Sequence, residues 1–347
     1  MVSPDPWRAL DAQPNVAALI AGLEARGATA TQARLRRRFL RFVPVRPGQR
    51  VLEVGCGSGV VVRDLAAMVG RRGAVVGVDT SRTVLTAARR LCRPARGRGR
   101  IALRVADGAG LPFAAGRFDV ALGVTMILHV ADPIRVVREM ARVTRPGGRV
   151  GLQDQDFGMV AVTHPDPELT DRILTGVVRH LYEEPYSGRR LPGLLRAAGL
   201  EDVRLLTDVF QDTTLEPWTK TFLERRAEYA VRFGLAEAVT AQRWLDGFTA
   251  LVAAGAFVFT MNYYGAVGGT AQHGVPPRAR RSRRCSSSPR RSLALRPIAP
   301  SSTGRRRCAT SSGWWRSGRA WPARPGACGH GSTSSVSSSA SPVCGWR

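Results

Sequence analysis

The sequence predicts an α/β fold built on a doubly wound parallel sheet, and two observations support this prediction. Residues 51–54 read as a short buried strand, residues 55–59 as a glycine-rich turn, and residues 60–69 have the apolar spacing of a helix. Beyond this unit, strand-like and helix-like segments alternate along the chain. Such alternation is typical of parallel sheets covered by helices, whose ligands bind at the carboxyl ends of the strands.

The glycine turn predicts a site for a nucleotide-like ligand. Gly55, Gly57 and Gly59 occupy alternate positions directly after the first predicted strand. Glycine allows the backbone to bend sharply and lets a ligand approach where a Cβ atom would clash. The free N–H groups at the start of the following helix favour negative charge or lone pairs. The Gly-x-Gly-x-x-Gly spacing of dinucleotide-binding turns is absent because residue 60 is valine.

An acidic residue ends the second predicted strand and sharpens this interpretation. Residues 73–78 form that strand, and Asp79 follows it, 20 positions after Gly59. An acid at this point of a βαβ unit accepts hydrogen bonds from the two hydroxyls of a ribose. The remaining elements of this half follow the same alternation: helices over 7–27, 29–43, 81–91 and 132–143, and strands over 101–105, 118–124 and 149–153.

Five segments, in this order, resemble the class I S-adenosylmethionine (SAM)-dependent methyltransferases: residues 51–59, 78–81, 106–108, 111–119 and 145–149. The likeness covers roughly residues 30–268 and is greatest to the small-molecule group that includes the ubiquinone and menaquinone biosynthesis methyltransferases. It implies a Rossmann-like sheet of seven strands, mostly parallel, with an antiparallel last strand. It also implies a lid made by the N-terminal helices and by those between the last two strands. With its help the later elements are placed as helices over 188–199, 217–233 and 236–254 and strands over 203–210 and 257–264.

The resemblance implies SAM as the cofactor and assigns it a set of binding residues. The glycine turn would pass under the amino-acid and ribose parts, Asp79 would accept the ribose hydroxyls, and Asp107 would accept from the adenine amino group. Two roles stay open for Glu53, which either orders the loop or holds the cofactor ammonium. The full set of predicted cofactor-binding residues is Glu53, Gly55, Cys56, Gly57, Gly59, Asp79, Thr80, Asp107, Gly108 and Thr125.

His129 is the candidate catalytic residue. It follows the fourth predicted strand, which the resemblance places near the reactive end of the cofactor. An oxygen acceptor needs a base beside its hydroxyl, and histidine has a suitable pKa for that task. A packed, hydrogen-bonded histidine without catalytic function is the alternative. Asp154, Asp156 and His164 are expected in an ordinary polar loop after the fifth strand, and most aromatic residues from 157 to 264 are expected in the core.

The charge of the chain is concentrated at one end. The formal net charge is +26, but residues 271–347 hold 15 arginines and no acid, so the first 270 residues carry 37 basic and 26 acidic groups, a net +11. We predict an N-terminal helical lid (1–45), a methyltransferase domain (46–269) and a disordered arginine- and serine-rich tail (270–347). For that tail a nucleic-acid or membrane arm, a linker and out-of-frame translation compete, and the composition favours the last.

The expected function is methyl transfer from SAM to a small, apolar or aromatic metabolite, at oxygen or carbon. The alternatives are an RNA methyltransferase and a nucleic-acid-binding protein that uses the basic tail on an inactive fold. Residues 125–128 lack the Asn/Asp-Pro-Pro-Tyr/Phe motif of many RNA methyltransferases, so we expect a small-molecule partner and no nucleic acid. With no apolar run of about 20 residues, no signal peptide and no Cys-x-x-Cys pair, we expect a cytoplasmic protein without a metal site.

Overall fold

The computed structural model describes residues 5–93, 97–182 and 184–272. Short 3₁₀ helices span Pro6–Ala12 and Ile127–His129. The α-helices are α1 (Val16–Ala28), α2 (Ala30–Phe42), α3 (Val60–Val69), α4 (Arg82–Leu91), α5 (Pro133–Val143), α6 (Pro167–Leu181), α7 (Ser187–Ala197), α8 (Pro217–Arg232) and α9 (Ala238–Ala253). The strands are β1 (Arg50–Val54), β2 (Ala74–Asp79), β3 (Arg100–Val105), β4 (Phe118–Val124), β5 (Thr144–Val162), β6 (Glu201–Asp212) and β7 (Phe259–Gly269).

The strands form one seven-stranded sheet in the order β3-β2-β1-β4-β5-β7-β6. The first five strands are parallel, and β7 runs antiparallel to both β5 and β6. The predicted doubly wound sheet with an antiparallel last strand is therefore confirmed. Strand order reverses between β1 and β4, and a ligand crevice forms at such a reversal because the connections leave to opposite faces.

Both faces of the sheet are covered by apolar cores. Neighbouring side chains of β1 point to opposite faces, so Val51 packs with residues of α1 to α4 while Leu52 and Val54 pack with α5 and α7. The N-terminal segment shares the first of these cores through the buried side chains of Leu10 and Leu19. The described part of the predicted lid, residues 5–45, thus packs on the sheet itself, and the boundary at residue 46 stays a prediction.

The N-terminal segment differs from the prediction of one helix over residues 7–27. A 3₁₀ helix and α1 take its place, separated at Gln13, whose backbone is extended. Pro14 explains this break, because a residue that precedes proline is disfavoured in the α-helical conformation.

The fifth strand is longer than the predicted 149–153. Asp154 and Asp156 lie inside β5 and are fully buried, so their predicted place in a polar loop was wrong. The physical reason is β7, which pairs with β5 as far as Val162 and carries the strand beyond the parallel part of the sheet. His164 follows the strand as expected, but its Nε2 donates to the Trp244 carbonyl (3.0 Å), and the residue lies outside the main cavity.

A helix that the sequence reasoning did not predict is α6. Its amino end is marked by Asp166, whose side chain accepts from the Leu169 N–H, and by Pro167 in the first turn. Both are ordinary start signals of helices. Within the described ranges no helix has the length and apolar character needed to cross a membrane. The predicted tail falls outside the described residues from 273 onwards.

Candidate active site

A cavity of about 560 Å³ opens at the carboxyl ends of β1, β2 and β4, where the sheet topology places a ligand crevice. Ten of the eleven residues predicted for the site line this cavity, and Gly59 does not. The ten are Glu53, Gly55, Cys56, Gly57, Asp79, Thr80, Asp107, Gly108, Thr125 and His129.

Gly59 has a packing role behind the cavity. Its backbone is left-handed (φ +85°), and its N–H donates to the Cys56 carbonyl (2.9 Å) at the start of α3. A Cβ atom at this position would lie 2.5 Å from Cys92 Sγ at the end of α4. The third glycine of the turn therefore allows α3 and α4 to approach each other, and it does not face the ligand crevice.

Asp79 ties the glycine turn to the end of β2. Its Oδ2 accepts from the Gly57 N–H (2.9 Å) and its Oδ1 from the Ser81 N–H (3.0 Å). Burial raises the pKa of this carboxyl above its usual range, and the hydrogen bonds from Ser81 and Gly57 oppose the rise. Each carboxylate oxygen has a second lone pair, so Asp79 keeps the capacity to accept from hydroxyls of a ligand.

Glu53 and Ser58 bring buried polar atoms without partners to the cavity wall. Both side chains are almost completely buried, and neither Glu53 Oε2 nor Ser58 Oγ has a hydrogen-bond partner in the described part of the chain. Burial, with the charges of Asp79 and Asp64, raises the pKa of Glu53 well above its usual value. Leaving such groups unpaired is costly, so this wall favours a ligand that brings a cation and hydrogen-bond donors.

We expect Glu53→Gln to remove a pH-dependent loss of stability. Because the folded-state pKa of Glu53 is raised, the parent protein is most stable below the unfolded-state pKa and loses stability as pH rises through the folded-state pKa. The variant should therefore become more stable relative to the parent as pH rises from about 5 to about 8, and urea titrations measure this change in the difference of the two unfolding free energies.

Glu139→Gln is the matched control, since hydrogen bonds and charge from Arg142 lower the pKa of Glu139. Its contribution to stability is already complete above the unfolded-state pKa, so this variant should be less stable than the parent by a nearly constant amount from about pH 5 to about pH 8. A pH-independent difference between Glu53→Gln and the parent would contradict the raised pKa of Glu53.

The chain turns sharply after β4 and presents His129 to the cavity. Thr125 has a left-handed backbone (φ +50°), which is rare for a β-branched residue, and its N–H donates to the Gln153 carbonyl (2.7 Å). His129 ends the 3₁₀ helix that follows. Its Nδ1 lies 2.6 Å from Oδ2 of Asp5, a side chain only 1% exposed. With Nδ1 donating to this carboxylate, Nε2 carries the lone pair that can accept a proton.

Sequence reasoning missed Asp5, because 124 residues separate it from His129 and no local pattern marks the pair. The 3₁₀ helix at Pro6–Ala12 brings it there, and Asp5 also caps that helix by accepting from the Trp7 N–H (3.1 Å). The Trp7 ring lies 6.1 Å from the His129 ring, and Tyr182 lies 5.8 Å away on a different element. The N-terminal segment thus both covers the cavity and orients its histidine.

Asp154, which lies on β5, supports the segment after β4 that carries His129. Its Oδ2 accepts from the Leu128 N–H and its Oδ1 from the Gln155 N–H, both at 3.1 Å. Burial raises the pKa of Asp154 to about 6, and the nearby His129 opposes this rise. Asp154 does not line the cavity, so it acts by positioning the backbone that carries His129.

The cavity wall formed by β5 and β7 is polar and held by a network. Arg26 donates to Gln155 Oε1 (3.2 Å) and to the Tyr263 hydroxyl (3.1 Å), which also accepts from Gln32 Nε2 (3.0 Å). Most aromatic residues from 157 to 264 were expected in the core, and three of them line the main cavity: Phe157, Tyr182 and Tyr263. Within the described residues no cluster of histidine, cysteine and acidic side chains has the composition of a metal site.

Comparisons with known proteins agree with this arrangement. Residues 51–148 match the family described as "Methyltransferase domain". The chain is 32% identical to the uncharacterized 37.1 kDa protein in transposon TN4556 of Streptomyces fradiae, over 65% of this chain and 64% of that protein. It is 40% identical to the nocamycin O-methyltransferase of Saccharothrix syringae, over 33% of this chain and 41% of that enzyme. The chain therefore spans less than two thirds of the length of either relative.

Among solved structures, the chain resembles a phosphoethanolamine N-methyltransferase 2 of Haemonchus contortus with a TM-score of 0.50 and 19% identity, over 78% of this chain and 61% of that one. That likeness shows the fold. Residues 51–148 therefore match a methyltransferase domain, and the strand order and the glycine turn with its acid at the end of β2 agree with that match.

Proposed function

We propose that this chain transfers the methyl group of SAM to a small, apolar or aromatic metabolite, and that the accepting atom is an oxygen. The observation that carries the proposal is the wall made by the glycine turn, where Glu53 Oε2 and Ser58 Oγ are buried without partners beside Asp79. Oxygen is favoured because His129 is held as a base and because a relative is an O-methyltransferase.

The residues at this wall fit the parts of SAM. Glu53 would receive the ammonium, the oxygens of Asp79 would accept the ribose hydroxyls, and Asp107 with the Gly108 N–H would receive the adenine edge. Asp107 is exposed, and its Oδ1 already accepts from the Ala109 N–H (2.9 Å), which fixes the direction of its other oxygen. When bound, SAM supplies a methyl group that is already activated, so the chain has only to align the acceptor and exclude water.

His129 would remove the acceptor proton as the new carbon–oxygen bond forms. Nε2 takes this proton, and the imidazolium that results is stabilised by the carboxylate of Asp5 at Nδ1. Trp7, Phe157 and Tyr182 make the nearby walls apolar, which keeps water away and suits an aromatic acceptor.

The alternative of a nucleic-acid substrate depended on the net positive charge of the chain. Most of that charge lies in residues 271–347, and almost all of these residues are outside the described part.

Calorimetric titration of the full chain with S-adenosylhomocysteine, the product form of the cofactor, tests the proposal. We expect one site, and complete absence of uptake would overturn it. Incubation with SAM and a panel of simple phenols, followed by mass spectrometry, tests the acceptor class. We expect a product that is heavier by one methylene group and carries the methyl on oxygen, and a product methylated on carbon would replace the oxygen assignment.

We expect His129→Gln to lower the turnover number by about 100-fold or more, because a positioned base contributes that much to proton transfer. Asp5→Asn should lower it less and shift the pH profile of turnover, since the charge that orients and stabilises the ring is lost. Both variants should bind S-adenosylhomocysteine like the parent. His164→Gln is the control, because His164 lies outside the cavity. Full turnover by His129→Gln would restore the packed, non-catalytic interpretation of this histidine.

A further inference from the structure

A second, smaller cavity of about 160 Å³ lies beside the main one and is lined largely by α1 and α8. The two cavities share part of their walls. The shared residues are Trp7, Leu23, Arg26, Gln155, Phe157 and Tyr182. A ligand that reaches past the stacked rings of Phe157 and Tyr182, whose centroids are 4.8 Å apart, would extend from one cavity to the other.

The second cavity contains a buried guanidinium without an acidic partner. Arg226 of α8 is 3% exposed, and no carboxylate of the described residues lies within ion-pair distance of it. Its Nε is buried and makes no hydrogen bond in the same part of the chain. An unpaired charge is among the costliest groups to bury, so a buried arginine normally has a carboxylate or several acceptors around it.

Aromatic rings surround Arg226 in place of an acid. The guanidinium carbon lies 4.4 Å from the ring centroid of Phe222, 4.9 Å from that of Phe157 and 5.5 Å from that of Tyr182. Such contacts stabilise a cation only in part, and they leave the in-plane N–H donors of the guanidinium unused. The group is therefore held in place and still able to bind an acceptor of hydrogen bonds.

All charged residues that line the second cavity are positively charged. Arg26, Arg225 and Arg226 line the second cavity, and no aspartate or glutamate is among its lining residues in the described part of the chain. Other arginines of this region behave differently, since Arg36 and Arg63 pair with Asp64 and Glu24 at 2.6 and 2.7 Å. The second cavity is thus electropositive, small and walled by aromatic rings.

We propose that the second cavity binds a carboxylate carried by the methyl acceptor, with Arg226 as its main partner. This inference rests on the proposed function, because it places the reacting hydroxyl near His129 in the main cavity and the acidic group beyond Phe157 and Tyr182. The substrate class is then an aromatic acid. Arginine matches a carboxylate through two parallel N–H donors, and a neutral acceptor would leave the buried charge unpaired.

Calorimetric titration of the full chain, saturated with S-adenosylhomocysteine, with 2-naphthoate and its neutral isostere 2-naphthamide tests this inference. We expect the parent to bind the acid at least about tenfold more tightly than the amide, as charge-assisted hydrogen bonds are stronger than neutral ones. Arg226→Met should lose this preference, and Arg226→Lys should keep part of it. Arg232→Met is the control, because it removes an exposed charge from the end of the same helix.

Equal binding of acid and amide to the parent, no saturable binding of the acid, or an unchanged preference in Arg226→Met would overturn the inference. The unfolding midpoint and the affinity for S-adenosylhomocysteine of each variant show whether it has folded. If Arg226 only supports the stacked rings, Arg226→Met lowers the midpoint and leaves the acid preference intact, which also counts against the inference. If the parent protein itself does not bind S-adenosylhomocysteine, the proposed function is overturned instead.

Discussion

Asp79→Ala should weaken the binding of S-adenosylhomocysteine by about 100-fold or more. The substitution removes one carboxylate that accepts hydrogen bonds both from the protein backbone and, as we propose, from the ligand. On the protein side, the N–H groups of Gly57 and Ser81 lose the carboxylate that holds the glycine turn against the end of β2. On the ligand side, the proposed acceptor of the ribose hydroxyls is lost. Titration calorimetry on the purified full chain measures the change.

The control for this prediction is Asp119→Ala. Asp119 also accepts a backbone N–H, from Arg50 (2.8 Å), and it pairs with Arg145 (2.7 Å), but it stands at the opposite end of the sheet from the cavity. This variant should lose stability while it binds S-adenosylhomocysteine like the parent. If Asp79→Ala binds as tightly as the parent, Asp79 only fixes the loop and another group receives the ribose.

The parts of the site that could be predicted are those that local sequence fixes. A strand, a turn of glycines and a helix follow one another without interruption, and the acid at the end of β2 stands at a distance set by one helix and one strand. Because parallel strands end at the same edge of the sheet, residues from β1, β2 and β4 meet there whatever the loops do. Asp79, Thr125 and His129 therefore reach one cavity, as the sequence predicts.

The parts that could not be predicted depend on contacts between distant segments. Asp5 reaches His129 only because the N-terminal segment folds across the carboxyl edge of the sheet, and Arg226 becomes a buried charge only because α8 packs on Phe157 and Tyr182. In sequence, Arg226 is one of a pair of arginines on a polar helix. Nothing local distinguishes it from Arg225, since burial is decided by the tertiary packing.

Gly59 shows how one motif can combine two different requirements. All three glycines of the turn have left-handed backbones, which explains why the motif keeps glycine at each position. Gly55 and Gly57 line the cavity, whereas Gly59 lies behind it against Cys92. The alternate spacing alone could not separate these roles, and a substitution at Gly59 should therefore act on stability before it acts on the ligand.

We expect Gly59→Ala to lower the free energy of unfolding by about 3 kcal/mol, as the sum of left-handed backbone strain and overpacking of the core. Gly48→Ala is the matched control, because Gly48 has nearly the same backbone (φ +84°) with nothing within 4 Å of its added Cβ, so only the strain of about 1–2 kcal/mol should appear. In a Cys92→Ala background the sulfur that the new methyl group meets is gone, and the cost of Gly59→Ala should fall to that of the control. Urea unfolding of the four variants and the parent measures these differences. If Gly59→Ala costs the same in both backgrounds, the close approach of Cys92 is not the reason for glycine at this position, and the left-handed backbone conformation is the whole reason.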